Sequence, residues 1–198
     1  MSSPGAFFYD KHSLQSDTPP ETLLETLSTL SILITRFPAH FADPSLNPQP
    51  LIAIAPLLIH SRPAVRKRAI STLSQFVPVA PPELFSTLLE NNILPFLVAN
   101  ANLEQQRTTV NLIAAIFRQS AQQLTPSLGD IVPGLLQAVK RDDDELREGC
   151  LQVAYMRPGS SGFYSLAKGF GDITTEVTWR GHAIRRFYGT SRDPVHQV

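Results

Sequence analysis

Four groups of residues in this sequence are of types that could do chemistry. Cys150, the only cysteine, could be a nucleophile, and His12, His40, His60, His182 and His196 could ligate a metal. Asp142, Asp143 and Asp144 could hold a cation, and Arg62, Arg66, Lys67 and Arg68 could grip an anion. A reactive thiol needs a lowered pKa and a base, whereas Cys150 follows Leu146 by four residues on an apolar stripe, where cysteine behaves as a small buried hydrophobe. The histidines lack H-x3-H or HExxH spacing and read as surface or loop residues. No glycine follows the three aspartates in the place a calcium loop needs one. Acids before a helix instead cap its orphan amides and meet the positive end of its dipole, each contributing ~0.3–1 kcal/mol. Exposed members of the trio could also touch a basic partner. The cationic cluster opposes the same dipole, so helix stability does not account for it. Two readings stay open for it: salt-bridging between neighbouring helices, or contact with an acidic partner surface.

These residues must be positioned by helices. Leu23, Leu27, Leu30, Ile34 and Phe37 step at 4, 3, 4 and 3, one apolar face of a helix that Pro38 ends. An apolar helix over 51–59 contains Pro56; Ser61 as N-cap and Pro63 in the first turn open the next, which buries Ala69, Leu73, Phe76 and Val77. The unit returns as residues 84–98 around Pro95, a capping-box-like start at Asn102 to Gln105, and a helix burying Val110, Ile113, Ala114 and Phe117. It returns again as residues 128–139 around Pro133, a start at 142–145, and a helix burying Leu146, Cys150, Val153 and Ala154. A proline inside a helix costs ~3 kcal/mol and a glycine about 1, yet Pro56, Pro95 and Pro133 recur at intervals of 39 and 38 residues. Arg66, Arg107 and Arg147, near the starts of the second helices, recur at 41 and 40. Two markers on one ~40-residue beat predict an all-α, right-handed HEAT/armadillo-like solenoid of about three repeats over residues 20–156. One hairpin cannot bury its apolar face alone, so neighbours must stack, and a proline bend suits a helix that follows a curved stack.

Composition divides the chain near residue 156: 24 leucines precede it and one, Leu166, follows, while six of ten glycines lie in the last 42 residues. Residues 1–19, polar and proline-bearing, are expected to be loose, and 157–198 disordered or a marginal hairpin, with alternation at Ile173, Thr175, Val177 and Trp179. Lys168-Gly169-Phe170-Gly171 imitates the start of an RNA-binding motif, but Asp172 stands where an aromatic is needed for base stacking. Seventeen basic and seventeen acidic residues give zero net charge, so no overall field favours nucleic acid or an anionic membrane. No apolar run reaches membrane-spanning length, and the N-terminus lacks the pattern of a signal peptide. One cysteine rules out an internal disulfide and suits a reducing compartment.

Three stretches are more specific: RPAVRKRAISTL at 62–73, DDDELREGCLQ at 142–152, and IVPGLLQAV followed by DDDELRE within 119–151. These resemble, in the same order, the amino-terminal HEAT repeats of the cullin-associated and neddylation-dissociated proteins, over about residues 20–152. The resemblance implies a scaffold without catalysis, cofactor, metal or small-molecule substrate. Such proteins are long arrays that wrap an unmodified cullin with its RING subunit and exchange the substrate receptors of SCF-type ubiquitin ligases. It also implies a cytoplasmic and nuclear location and no nucleic-acid or membrane partner. Contacts would be of that class, with Arg62, Arg66, Lys67, Arg107, Asp142, Asp143, Asp144 and Arg147 as candidates. The chain starts within such an array and leaves it after three repeats, so a truncated product with an out-of-frame or intronic tail is expected. The alternatives are a HEAT adaptor with a non-cullin partner, and an RNA-binding or enzymatic tail on a helical support.

Overall fold

The computed structural model describes residues 18–42, 48–98 and 100–155, together with Leu14. Within the segment 1–19 expected to be loose, Leu14 is buried against the core, and Thr18 and Pro19 are also described; the rest of that segment, the 157–198 tail, its Lys168–Gly171 motif and its hairpin lie outside the described residues.

Helix α1 (Pro20–Arg36) opens with proline in its first turn, where a missing N–H is harmless, and carries Glu21 and Arg36 at the ends its dipole favours. Leu23, Leu27, Leu30 and Ile34 are buried as their spacing requires. Phe37 does not continue the stripe as its spacing predicts: it leaves helical geometry at φ −129°, ψ 54°, and is 56% exposed. Helix α2 (Pro38–Phe41) then turns the chain so that Phe41 meets Phe76 edge-on, with centroids 6.3 Å apart.

Three first-helix and second-helix pairs follow. Helix α3 (Pro48–Ile54) passes into a 3-10 segment (Ala55–Ile59) and pairs with α4 (Pro63–Phe76). Helix α5 (Pro82–Leu88) continues through a π turn (Leu89–Ile93) and a 3-10 turn (Leu94–Phe96) before α6 (Leu103–Leu124). Helix α6 breaks at Ser120, whose φ −156° and ψ 78° are not helical, and a 3-10 turn (Thr125–Ser127) leads into α7 (Leu128–Ala138) and α8 (Asp144–Tyr155). Pro56 and Pro95 therefore do not bend continuous α-helices, as the spacing suggested. Each stands in the first turn of a 3-10 segment, where no intrahelical donor is required of it. Of the three recurring prolines, Pro133 alone lies inside an α-helix. The acceptor its missing N–H would have met is the carbonyl of Gly129, an exposed residue that water can reach.

The second helices form one row: α1 packs on α4, α4 on α6, and α6 on α8. Thr72 Oγ1 donates to the Leu27 carbonyl at 3.3 Å and Ser31 donates to Gln75 Oε1, contacts that advance in the same direction along α1 and α4. The two helices run parallel, as equivalent helices of a solenoid must. Helix α1 is thus the second helix of a preceding pair. One hydrophobic core runs from Leu23 to Val153 through every repeat and includes Ala69, Leu73, Phe76, Val110, Ile113, Phe117 and Leu146. The chain is an all-α solenoid.

The glycine of IVPGLL has its own reason. A Cβ on Gly134 would lie 2.6 Å from Leu97 Cβ, closer than real carbons approach, so α7 reaches the preceding repeat only because residue 134 has no side chain.

Candidate protein-interaction surface

The second helices begin at one edge of the row, and the chemistry-bearing residues gather there. Helix α4 takes Arg62 as N-cap, with Pro63 next, and no side-chain cap; Ser61, expected in that role, instead offers its carbonyl to Arg66. Arg66 Nη1 donates to the His60 and Ser61 carbonyls at 2.9 and 3.1 Å, tying α4 to the loop before it. Its Nη2 reaches Glu104 Oε2 in the next repeat at 2.8 Å. Asn102 caps α6 by accepting from the Glu104 backbone N–H at 2.9 Å, but the Glu104 carboxylate turns outward and bridges Arg66 and Arg107.

Arg107 repeats the pattern one step further. Its Nε donates to Asp143 Oδ1 at 3.0 Å and its Nη2 to Asp143 Oδ2, a fork that matches the carboxylate. Nη1 lies 3.3 Å from Glu145. Asp143 also caps α8, accepting from the Leu146 backbone N–H at 2.8 Å. The hydrogen bond from Arg107 holds the Asp143 carboxyl below the ordinary carboxylate range, against a smaller opposing effect of desolvation. The same bond raises the Arg107 pKa further above its normal value. Arg147 closes the series on Asp142 and Asp144 and donates to the Arg141 carbonyl at 3.1 Å. Its buried Nε has no partner among the described residues. Arg66, Glu104, Arg107 and Asp143 thus form one continuous ladder across three repeats.

Sequence reasoning missed a second tie. Arg141 Nη1 donates to the Ala101 carbonyl and to Gln106 Oε1, both at 2.8 Å, while the fully buried Gln106 donates from Nε2 to the Val98 carbonyl. A glutamine inside an apolar stripe, followed 35 residues later by an arginine at a repeat junction, was the available signal.

Of the eight residues read as contact candidates, Arg66, Arg107, Asp143 and Arg147 are brought together in these ties. Arg62, Lys67, Asp142 and Asp144 are exposed, and Arg62 and Lys67 make no ion pair among the described residues. Salt-bridging along the stack, one of the two readings open for the cationic cluster, is what Arg66 does. Lys67 instead lines a groove between α4 and α6, together with Ile70, Ser71, Ser74, Ala115, Arg118 and Gln119. Cys150 is fully buried, and desolvation pushes its thiol up to about 12, so it sits in the core as a neutral group. Among the described residues no three His, Cys, Asp or Glu side chains cluster as a metal site, and no helix is long and apolar enough to cross a membrane.

No protein-family model matches the chain. Over 130 residues, 66% of the chain, it is 36% identical to cullin-associated NEDD8-dissociated protein 1 of Drosophila melanogaster. It is 32% identical over 138 residues to cullin-associated NEDD8-dissociated protein 2 of Mus musculus, and 29% identical over 135 residues to protein 1 of Dictyostelium discoideum. The matched part spans 10–11% of the length of these relatives. With stacked helical pairs and a similarity that covers two thirds of the sequence, the chain belongs to the cullin-associated NEDD8-dissociated protein family.

Proposed function

We propose that this chain is a non-catalytic scaffold that binds a cullin together with its RING subunit, in the cytoplasm and nucleus. Its role there is to support exchange of substrate receptors and assembly of SCF-type ubiquitin ligases. The observation that carries the reading is the 36% identity to a relative whose name states association with cullins. The stack adds a physical rationale, because a row of parallel second helices offers a broad, rigid surface and suits protein recognition. Arg62, Lys67, Asp142 and Asp144 are the exposed candidates for such contacts, whereas Arg66, Arg107 and Asp143 serve them indirectly by tying neighbouring helices together and Arg147 by holding α8 to the loop before it.

For so short an array, affinity in the low micromolar range is expected, on the order of 1–10 μM. Biolayer interferometry of the whole chain against a purified, unmodified cullin–RING complex tests this. Absence of saturable binding at about 100 μM, with a folded chain by circular dichroism, rules the reading out. Binding to NEDD8-modified and unmodified cullin alike would remove the link to receptor exchange and leave a generic adaptor.

A further inference from the structure

We infer that the groove between α4 and α6 is a docking site for an acidic peptide segment of a protein partner. Lys67 and Arg118 would receive its carboxylates, while the partly exposed Ile70 packs against an aliphatic side chain beside them. The reading deepens the scaffold function, of which it needs only that the partner is a protein.

Three observations carry it. First, Lys67 and Arg118 come from different repeats, both are exposed, neither makes an ion pair among the described residues, and no acid lines the groove between them. Two cations lining one depression with no acid beside them give it a positive character that an incoming carboxylate complements. Second, Lys67, the fifth residue of α4, has no acid in the first turn of its helix and none three or four residues away on the same face, so its own helix supplies no counter-charge. Its neighbour Arg66 is compensated by Glu104 and two backbone carbonyls. Lys67 has no such compensation within the described residues. Arg118, next to the end of the regular part of α6 before Ser120, suits its dipole there, so Lys67 is the more telling of the two. Third, the groove is of mixed character. Ile70 supplies apolar surface above the buried Ala115, and Ser71 and the exposed Gln119 supply polar groups, which fits a peptide better than a bare anion.

Nucleic acid fits less well. The chain has no net charge, and Glu104, Asp143, Glu145 and the exposed Glu148 lie along the same row of helices, so an extended polyanion would run across them. A short acidic segment meets only the two cations.

The test is fluorescence anisotropy of the full 198-residue chain against three labelled probes. One is a short peptide alternating Glu and Leu, the second is its Gln–Leu counterpart, and the third is a single-stranded oligonucleotide of equal charge. The Glu–Leu peptide should bind, weaken with added salt, and lose about tenfold in affinity with Lys67→Glu or Arg118→Glu, at unchanged melting temperature. Lys140→Glu, on the α7–α8 connection, should leave binding unchanged. If a reversal lowers the melting temperature, the milder Lys67→Ala/Arg118→Ala double variant replaces it and should show a loss in the same direction. Equal binding of the Gln–Leu peptide, no effect of either cation, or an equal effect of Lys140→Glu overturns the inference. Tighter binding of the oligonucleotide through the same two residues overturns it in favour of nucleic acid. A chain that binds cullin–RING but not the Glu–Leu peptide keeps the proposed function and loses this site. One that binds the peptide but not cullin–RING does the reverse.

Discussion

Replacing Asp143 probes the ladder at its most sheltered carboxylate, whose side chain is 12% exposed. Asp143→Ala removes both the cap on Leu146 and the fork with Arg107, and should lower stability by about 2–3 kcal/mol in urea denaturation. Asp143→Asn keeps an acceptor for the cap and loses the charge, so about 1 kcal/mol is expected, discounted because Arg107 is partly solvated. The folded-state pKa of Asp143 is depressed, so the native protein binds this proton less readily than the unfolded chain. The contribution is therefore complete above about pH 4, the ordinary carboxylate value, and fades as pH falls through the lower folded value. Wild type should lose stability below that point more steeply than Asp143→Asn. Cys150 should resist alkylation at neutral pH in the native state and react at once in denaturant, because its thiol is neutral and buried; rapid native labelling would show that α8 opens. The capping role of Asp143 was legible, because three acids precede an apolar stripe. Its bond to Arg107 was not, because the partner lies 36 residues away and nothing local distinguishes a cap from a cap that also pairs. The same holds for Glu104, readable as a first-turn acid and in fact a bridge.

Between α5 and α7 the decisive atom is an absent one. Gly134→Ala should destabilise by about 1–3 kcal/mol even though alanine favours helix, because the new methyl group meets Leu97 Cβ. Leu97→Ala leaves that Cβ in place and gives only the Leu97 side chain room to yield, so in the double variant the cost of the glycine change should shrink without vanishing; an additive double-mutant cycle would mean the two repeats part. On α4, Arg66→Ala should shift melting, since it severs ties to Glu104 and two carbonyls, whereas Lys67→Ala should not. The buried stripes were legible residue by residue, from Leu23 to Val153, because helical periodicity and burial are the same signal. Phe37 failed because the stripe continues in sequence past the residue where the backbone leaves the helix. The prolines failed differently. Their recurrence was real, but sequence could not tell a bent α-helix from one that changes to 3-10 geometry just before the ring.

Across the whole molecule, the ~40-residue beat of Arg66, Arg107 and Arg147 is the feature that sequence displayed best, and its first two members belong to the ladder that joins the repeats. Each pair contacts only its neighbours, so stability is carried by the junctions. A junction variant such as Asp143→Ala should separate the unfolding of α7 and α8 from that of α1 to α6, seen as locally lost hydrogen-exchange protection in residues 128–155. Uniform loss throughout would show a single cooperative unit. The two rows are held differently. Among the described residues the ion-pair ladder lies in the row of second helices, and the bare-backbone approach of Gly134 to Leu97 lies in the row of first helices. Ions in the medium loosen charged ties and leave apolar contact in place. Like two bonded metals that expand unequally on warming, the strip should change its bow with ionic strength while keeping its length along the stiffer side, a response that small-angle scattering can follow.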